Sequence, residues 1–189
     1  MKSKVKVLPV KNVSFAGGFW APKLRVYKEQ SIPNAWQFLG QWELRTLRKA
    51  NGLPIEGDAG GTWGEANIGK QLETMALSLG LFPDPEMEKT FEEWLTLIKG
   101  AQQPDGYVHA HMTNEGKPHW NKALLGGSHE GYVRGHYTEA ALAYYETTGR
   151  REFLDLMIRA ADEVHRRFLA PGAEPGFCGH PEYKMALVE

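Results

Sequence analysis

Apolar residues recur along this chain at helical spacing, and the segments that carry them are of two kinds. From Ser128 to Gly149, SHEGYVRGHYTEAALAYYETTG, the side chains of His129, Tyr132, His136, Ala140 and Ala143 line one side of a helix. Val133, Tyr137, Ala141 and Tyr144 line the other. A helix that is apolar or semi-polar all round is covered on both sides. Residues 65 to 79 carry Ile68, Leu72, Met75 and Leu79 in the same register and form a second two-sided helix. The segments that follow each of these are one-sided. Residues 86 to 102 set Met87, Phe91, Trp94, Leu95 and Ile98 against Glu86, Lys89, Glu92, Glu93, Thr96 and Lys99. Residues 151 to 169 set Phe153, Leu154, Met157, Ile158, Ala161, His165 and Phe168 against Arg151, Asp155, Arg159, Asp162, Glu163 and Arg166.

The ends of the central helix carry their own signals. Ser128 is placed to cap the first turn, Glu130 sits where the helix dipole favours an anion, and Gly149 suits a left-handed C-terminal residue. Upstream, Leu24, Tyr27, Ile32, Trp36, Leu39 and Leu47 mark a helical stretch from about Pro22 to Ala50, which Pro33 kinks or divides. Residues 1 to 20 read as a short extended segment and loop. A long Gly/Pro-rich loop from Ala101 to Gly127 precedes the central helix, and PEYKMALVE at the chain end begins another buried one.

Buried helix, short turn, amphipathic helix and long loop thus repeat. That order predicts an all-α fold, a partial (α/α)6 toroid of helical hairpins spanning residues 21–189, with its long loops and inner-helix N-termini on one rim. A rim of this kind is where a ligand pocket forms. Met185, Ala186, Leu187 and Val188 read as helix interior with no capping signal after them, so the expected toroid is incomplete, an arc of about six helices truncated at the C-terminus. Apolar flanks left open on such an arc keep homo-oligomerisation in play.

Composition narrows the partners. With 22 Lys and Arg against 23 Asp and Glu, the net charge of −1 gives no field for nucleic acid or an anionic membrane surface. No leader-like or membrane-spanning apolar run is present, and a cytoplasmic protein is expected. The single cysteine, Cys178, excludes an internal disulfide and any multi-cysteine metal site within these 189 residues.

Three motifs, AQQPDGYV from Ala101, HEGYVRGHYTEAALAYYETTG from His129 and GHPEYKMALVE from Gly179, together with Phe19-Trp20, resemble the N-terminal half of the catalytic domain of glycoside hydrolase family 127, the β-L-arabinofuranosidase-like proteins. The resemblance runs from about residue 13 to the chain end. It implies an (α/α)6 barrel and hydrolysis of terminal L-arabinofuranosides or related plant-glycan sugars. It also implies a cysteine nucleophile beside a zinc held by cysteines and a glutamate, and a separate glutamate acid/base, all beyond Glu189. Cys178 matches none of these, so no catalytic residue, metal ligand or cofactor is assigned within the chain, and zinc belongs to the longer protein. What carries over is a pair of sugar-contacting histidines, His129 and His180. Lys184 departs from the family, which has a second acidic residue there.

The residues themselves leave alternatives. His129 and His180 each follow a Gly-containing loop at the mouth of an inner helix, where an imidazole can donate to a sugar hydroxyl; the other reading is a pair of satisfied core histidines. His136 lies roughly 10 Å along the helix from His129, too far to share a metal ion, and supports the site or the core. His109 and His111 share a side if their segment is extended, but lack further ligands. Gln102 and Tyr107 are candidate rim contacts, while Asp105 and Gly106 are explained by turn chemistry. The loop tryptophans Trp63 and Trp120 either pack on sugar C–H faces or pin loops to the core. Glu65, Glu130 and Glu182 are the carboxylates nearest the expected rim, and dipole capping is the simpler reading for the first two. A sugar epimerase on the same toroid and a non-catalytic carbohydrate-binding protein are the competing functions.

Overall fold

The computed structural model describes residues 8–122, 126–176 and 178–188. Among them no strand occurs, and nine α-helices are found: α1 (Trp20–Val26), α2 (Ile32–Trp42), α3 (Leu44–Ala50), α4 (Gly64–Leu81), α5 (Pro85–Ala101), α6 (Ala110–Asn114), α7 (Glu130–Thr148), α8 (Glu152–Phe168) and α9 (Glu182–Ala186). The inner layer is α4, α7 and α9, with α7 packed between the other two. Helices α5 and α8 lie outside, giving the expected arc of an (α/α) toroid. No helix among the described residues is long and apolar enough to cross a membrane.

The two-sided pattern of α4 and α7 corresponds to helices buried from several directions. Helix α5 buries Met87, Phe91, Trp94, Leu95, Ile98 and Ala101 along one stripe, and Asp84 caps it by accepting from the Met87 N–H at 3.1 Å. Phe91 stacks on Tyr144 of α7 with centroids 4.2 Å apart and 18° between planes. Such a pair adds about 0.5–1.5 kcal/mol beyond the area it buries, and it fastens outer layer to inner.

The helical stretch expected from about Pro22 to Ala50 begins at Trp20, and the interruption expected at Pro33 takes the form of a π turn, Tyr27–Ser31. Proline has no N–H to give and its ring crowds the carbonyl four residues back, so the ladder widens there, and the Ile32 N–H bonds the Tyr27 carbonyl instead. Other expectations need correction. The segment after Leu8 is not simply extended, because Val10–Asn12 form a 3₁₀ turn; residues 1–7 lie outside the described residues. The inward stripe of α8 is Phe153, Leu156, Met157, Ala160 and Glu163, while Ile158 and His165 are exposed. Glu163, expected on the wet face, is drawn inward by a buried arginine. The last helix is short: only Tyr183 and Ala186 are buried, and Met185, Leu187 and Val188 are exposed.

Candidate sugar site on the inner-helix rim

Helix α7 carries two polar clusters, and their geometry separates scaffold from site. The first surrounds Arg134, which is fully buried. Its guanidinium lies 4.7 Å from the Tyr107 ring and 4.6 Å from the Trp120 ring, and it donates to Glu163 Oε2 at 2.7 Å and to the Ala160 carbonyl at 3.2 Å. The Trp120 indole N–H donates to both Glu163 oxygens. One turn before Arg134, Glu130 accepts from the Tyr107 hydroxyl at 2.5 Å, the Trp120 N–H at 2.8 Å and the Ser128 hydroxyl at 2.7 Å. Burial, and then the Glu130 carboxylate beside it, pushes the Tyr107 phenol well above its usual range. A buried charge needs a partner, and α7, α8 and the long loop together supply the Glu163 carboxylate and two ring faces to Arg134, whose Nε and Nη2 have no hydrogen-bond partner among the described residues.

The cluster alters the expectations for Ser128, Glu130 and Tyr107 and decides between the two left open for Trp120. Ser128 does not cap α7, because its hydroxyl is given to the Glu130 side chain; His129 occupies the cap position in a left-handed conformation, φ 58°. Glu130 acts as a hub for three donors rather than as a rim carboxylate. Tyr107 is fully buried, and its ring is stacked on His119 at 3.5 Å. Trp120 pins its loop to the core. Gln102 is likewise committed: its amide donates to the Gly106 and Leu156 carbonyls, and its oxygen accepts from Arg159. The placement of Tyr107 and Gln102 thus ties loop and outer helix together instead of presenting polar atoms at the rim.

Glu65 has a similar structural place. Its carboxylate accepts the N–H groups of Ala110 and His111 at 3.0 and 2.9 Å, closing the first turn of α6, and the Tyr137 hydroxyl at 3.2 Å. Burial raises its pKa, and these donors hold the shift back. It therefore caps a neighbouring helix, not its own. His109 and His111 are no extended chelating pair either. His109 Nδ1 accepts the Met112 N–H at 3.3 Å while Nε2 donates to the Thr62 carbonyl at 3.0 Å, which fits only the neutral ring; burial lowers its pKa to about 4.

The second cluster lies on the other side of α7. His129 and His180, 51 positions apart in the sequence, face each other with ring centroids 5.2 Å apart and 30° between planes. Tyr132 joins them, 4.6 Å from His180 and 4.7 Å from His136. Lys70 of α4 donates to the Tyr132 hydroxyl at 2.6 Å, and Thr62 Oγ1 meets His129 Nδ1 at 3.2 Å. His136 Nδ1 pairs with Glu139 at 2.9 Å; burial lowers the His136 pKa, and the nearby Lys70 charge acts in the same direction. The buried His136 Nε2 and Glu182 Oε2 have no hydrogen-bond partner among the described residues. All four rings are part-exposed. Trp63, one residue beyond Thr62, stands 54% exposed at the start of α4.

Close backbone approach sets this spacing. A Cβ on Gly135 would lie 2.7 Å from the backbone of Glu182 and Tyr183, and one on Gly69 would lie 2.8 Å from His136 Cβ. Without side chains there, α4 and α9 press against α7 and bring His180 over His129. Sequence reading did not single out Arg134, Tyr132, Lys70 or Thr62. The i, i+3, i+7 series His129, Tyr132, His136 was the available signal for Tyr132; nothing local marks the others.

The model of the family described as β-L-arabinofuranosidase, GH127 catalytic domain, matches residues 12–189. The chain belongs to this family. A non-reducing end β-L-arabinofuranosidase of Bifidobacterium longum subsp. longum is 30% identical over 94% of the chain, which spans 31% of that relative's length. The solved GH127 β-L-arabinofuranosidase from Geobacillus stearothermophilus T6 superimposes with a TM-score of 0.86 at 34% identity, covering 94% of this chain and 29% of that one. A second solved GH127 β-arabinofuranosidase gives 0.82 at 31% identity, covering 95% and 30%. The zinc that the family resemblance implies does not fit the residues present. Cys178 is the only sulfur donor of the thiolate type, and among the described residues no three His, Cys, Asp or Glu side chains gather as metal ligands.

Proposed function

We propose that this GH127 chain forms part of the catalytic toroid of a glycoside hydrolase that releases terminal β-L-arabinofuranosyl units, and that it contributes the sugar cradle while the reacting groups lie beyond Glu189. The observation that carries this reading is the facing pair His129 and His180. With Thr62 engaging Nδ1 of His129, the nitrogen left for a sugar hydroxyl is Nε2. Tyr132 and His136 extend the same face. His136 Nε2 and Glu182 Oε2, without hydrogen-bond partners among the described residues, can take a hydroxyl or a water; because Arg134, Tyr144 and Tyr183 also carry unpartnered buried atoms, the reading rests on the facing histidines. Cleavage needs a nucleophile and an acid/base, and the buried carboxylates Glu65 and Glu130 are already occupied by three donors each.

The test compares the 189-residue chain with a version extended along the reading frame, both assayed on an aryl β-L-arabinofuranoside with zinc measured in each. Turnover and zinc are expected only in the extended protein, where His180→Ala lowers kcat/KM by on the order of 100-fold, the loss that follows when a positioned hydrogen-bond donor is removed. Turnover by the short chain that survives Cys178→Ser would place the chemistry on its own carboxylates. Epimerisation of a free sugar without glycoside cleavage would make the cradle a proton-transfer site instead.

A further inference from the structure

The cradle is tied to the interior by a path of hydrogen bonds that begins at a fully buried histidine. His109 stands at the cap position of α6, and its Nε2–H donates to the Thr62 carbonyl at 3.0 Å. Its Nδ1 accepts the Met112 N–H at 3.3 Å, so the neutral ring carries its proton on Nε2 and the direction of the bond to Thr62 is fixed. Glu65, in the first turn of α4, returns the contact by accepting the Ala110 and His111 N–H groups. The N-termini of α4 and α6 are thereby clasped in both directions. Buried Thr46 of α3 braces the clasp: its hydroxyl donates to the Ala59 carbonyl at 3.0 Å, and its own carbonyl accepts from Asn114 at the end of α6 at 2.8 Å.

Thr62 is where this clasp reaches the cradle. Its carbonyl is held by His109, and its hydroxyl meets Nδ1 of His129 at 3.2 Å, the acceptor offered to the hydroxyl proton among the described residues. A hydroxyl that donates to Nδ1 leaves the ring proton on Nε2, and a neutral imidazole so held is a donor at Nε2 and not an acceptor. The backbone of His129 is itself in the left-handed region, φ 58°, where residues other than glycine are uncommon and persist when their surroundings hold them. The path starts out of water, and each of its bonds lies between residues of this chain.

We propose that His109 and Thr62 are positioning residues for the cradle: His109 fixes the peptide unit that presents the Thr62 hydroxyl, and that hydroxyl holds His129 in the tautomer that donates from Nε2 to a sugar hydroxyl. The proposal rests on the sugar-cradle reading and adds to it the origin of the donor's tautomer and direction. Both residues act through His129. Substitutions at His109 separate this role from the capping of α6. Asparagine is a preferred cap and can still accept the Met112 N–H, but its side chain is too short to reach Thr62; glutamine keeps an N–H donor at about the place of Nε2.

Long-range proton–nitrogen correlation spectra of the histidine rings in the 189-residue chain, taken at about pH 8 where ordinary imidazoles are neutral, read the tautomer of His129 directly. The signal is assigned by its loss in His129→Asn, and titration with L-arabinose reads the cradle. The parent is expected to show Nε2–H. Thr62→Val removes the hydroxyl and should give a mixture of both tautomers, with L-arabinose bound about fivefold more weakly, the scale of one neutral hydrogen bond. His109→Asn should do the same, although His109 and His129 share no contact. Thr62→Ser and His109→Gln should restore both readouts. A tautomer mixture in the parent, or Nε2–H retained in Thr62→Val, overturns the path and leaves the cradle standing. A lower melting temperature in His109→Asn with the tautomer unmoved makes His109 a structural residue alone and overturns its part. A chain that holds Nε2–H as expected yet takes up no L-arabinose loses the cradle reading, and the positioning role with it.

Discussion

Helix α7 sends ionisable side chains to two faces, and they answer opposite demands. Toward α8, Glu130 and Arg134 stand one turn apart in a dry interior; Glu130 accepts from three donors and Arg134 pairs with Glu163 between two aromatic rings, with its Nε and one Nη left without a hydrogen-bond partner among the described residues. Toward α4 and α9, His129, Tyr132 and His136 stand part-exposed, two of the rings touch across the gap to His180, and two polar atoms are left unmatched. Ionisable character alone therefore does not mark a site. The difference lies in exposure: the charges of the first face are paired out of water, and the rings of the second are part-exposed and face one another.

The largest expected effect belongs to the dry face. Arg134→Met strands the Glu163 carboxylate away from solvent with only the Trp120 indole to bond it, and should cost about 3–5 kcal/mol in urea unfolding. Adding Glu163→Leu should restore most of that loss. A single-variant cost below about 1 kcal/mol would mean that the pair is solvated and that the two faces do not differ in kind.

A somewhat smaller effect is written in the pH dependence. The buried His109 ring, its pKa lowered from 6.5 to about 4, stays neutral in the fold while the unfolded chain takes up a proton near pH 6.5. Its contribution is present above pH 6.5 and is lost as pH falls toward 4, by roughly 3 kcal/mol. The loss should appear as the difference between the parent and His109→Gln, in which this titrating group is gone and the contributions of the remaining titrating groups cancel. Parallel stability curves over that interval would show that His109 is protonated in the fold, against its donation from Nε2 to Thr62.

The open face should respond least. His180→Ala is expected to change stability by no more than about 0.5 kcal/mol, as does substitution of a part-exposed side chain that fastens nothing, while sugar binding is lost. At His129 the left-handed backbone makes Asn the fair replacement, because Asn tolerates that conformation and Ala does not. A melting-point drop as large as that of Arg134→Met would make the facing imidazoles core groups.

Helix existence and the alternation of layers were readable because they depend on local periodicity. Phe91, Trp94 and Ile98 declare the inner side of α5 without reference to anything else. The stripe on α8 was misplaced for the opposite reason. Glu163 turns inward only because Arg134, 29 positions earlier, is buried and needs it, and an arginine between Val133 and Gly135 carries no local sign of burial. Likewise, Ser128 and Glu65 have the right positions for ordinary caps, yet each serves another partner supplied by the fold. Helix α6 was missed because its five residues are too few for a period and its cap is His109, a residue seldom found in that role. The pairing of His129 with His180 was readable from their equivalent places before successive inner helices and from the family motifs. The path from His109 through Thr62 to His129 was not, since its residues come from separate segments.

The bare Cα of Gly135 has a consequence for how such a cradle changes over generations. The gap between the two imidazoles is set by how near α9 can come to α7, and that distance is governed by a hydrogen atom at a position that touches no ligand. One added methyl group would push the loop carrying His180 outward and widen the opening for a bulkier guest, with both histidines retained in the gene. Lineages that differ only at this codon would look identical to a search for site residues, yet differ in the width of the opening.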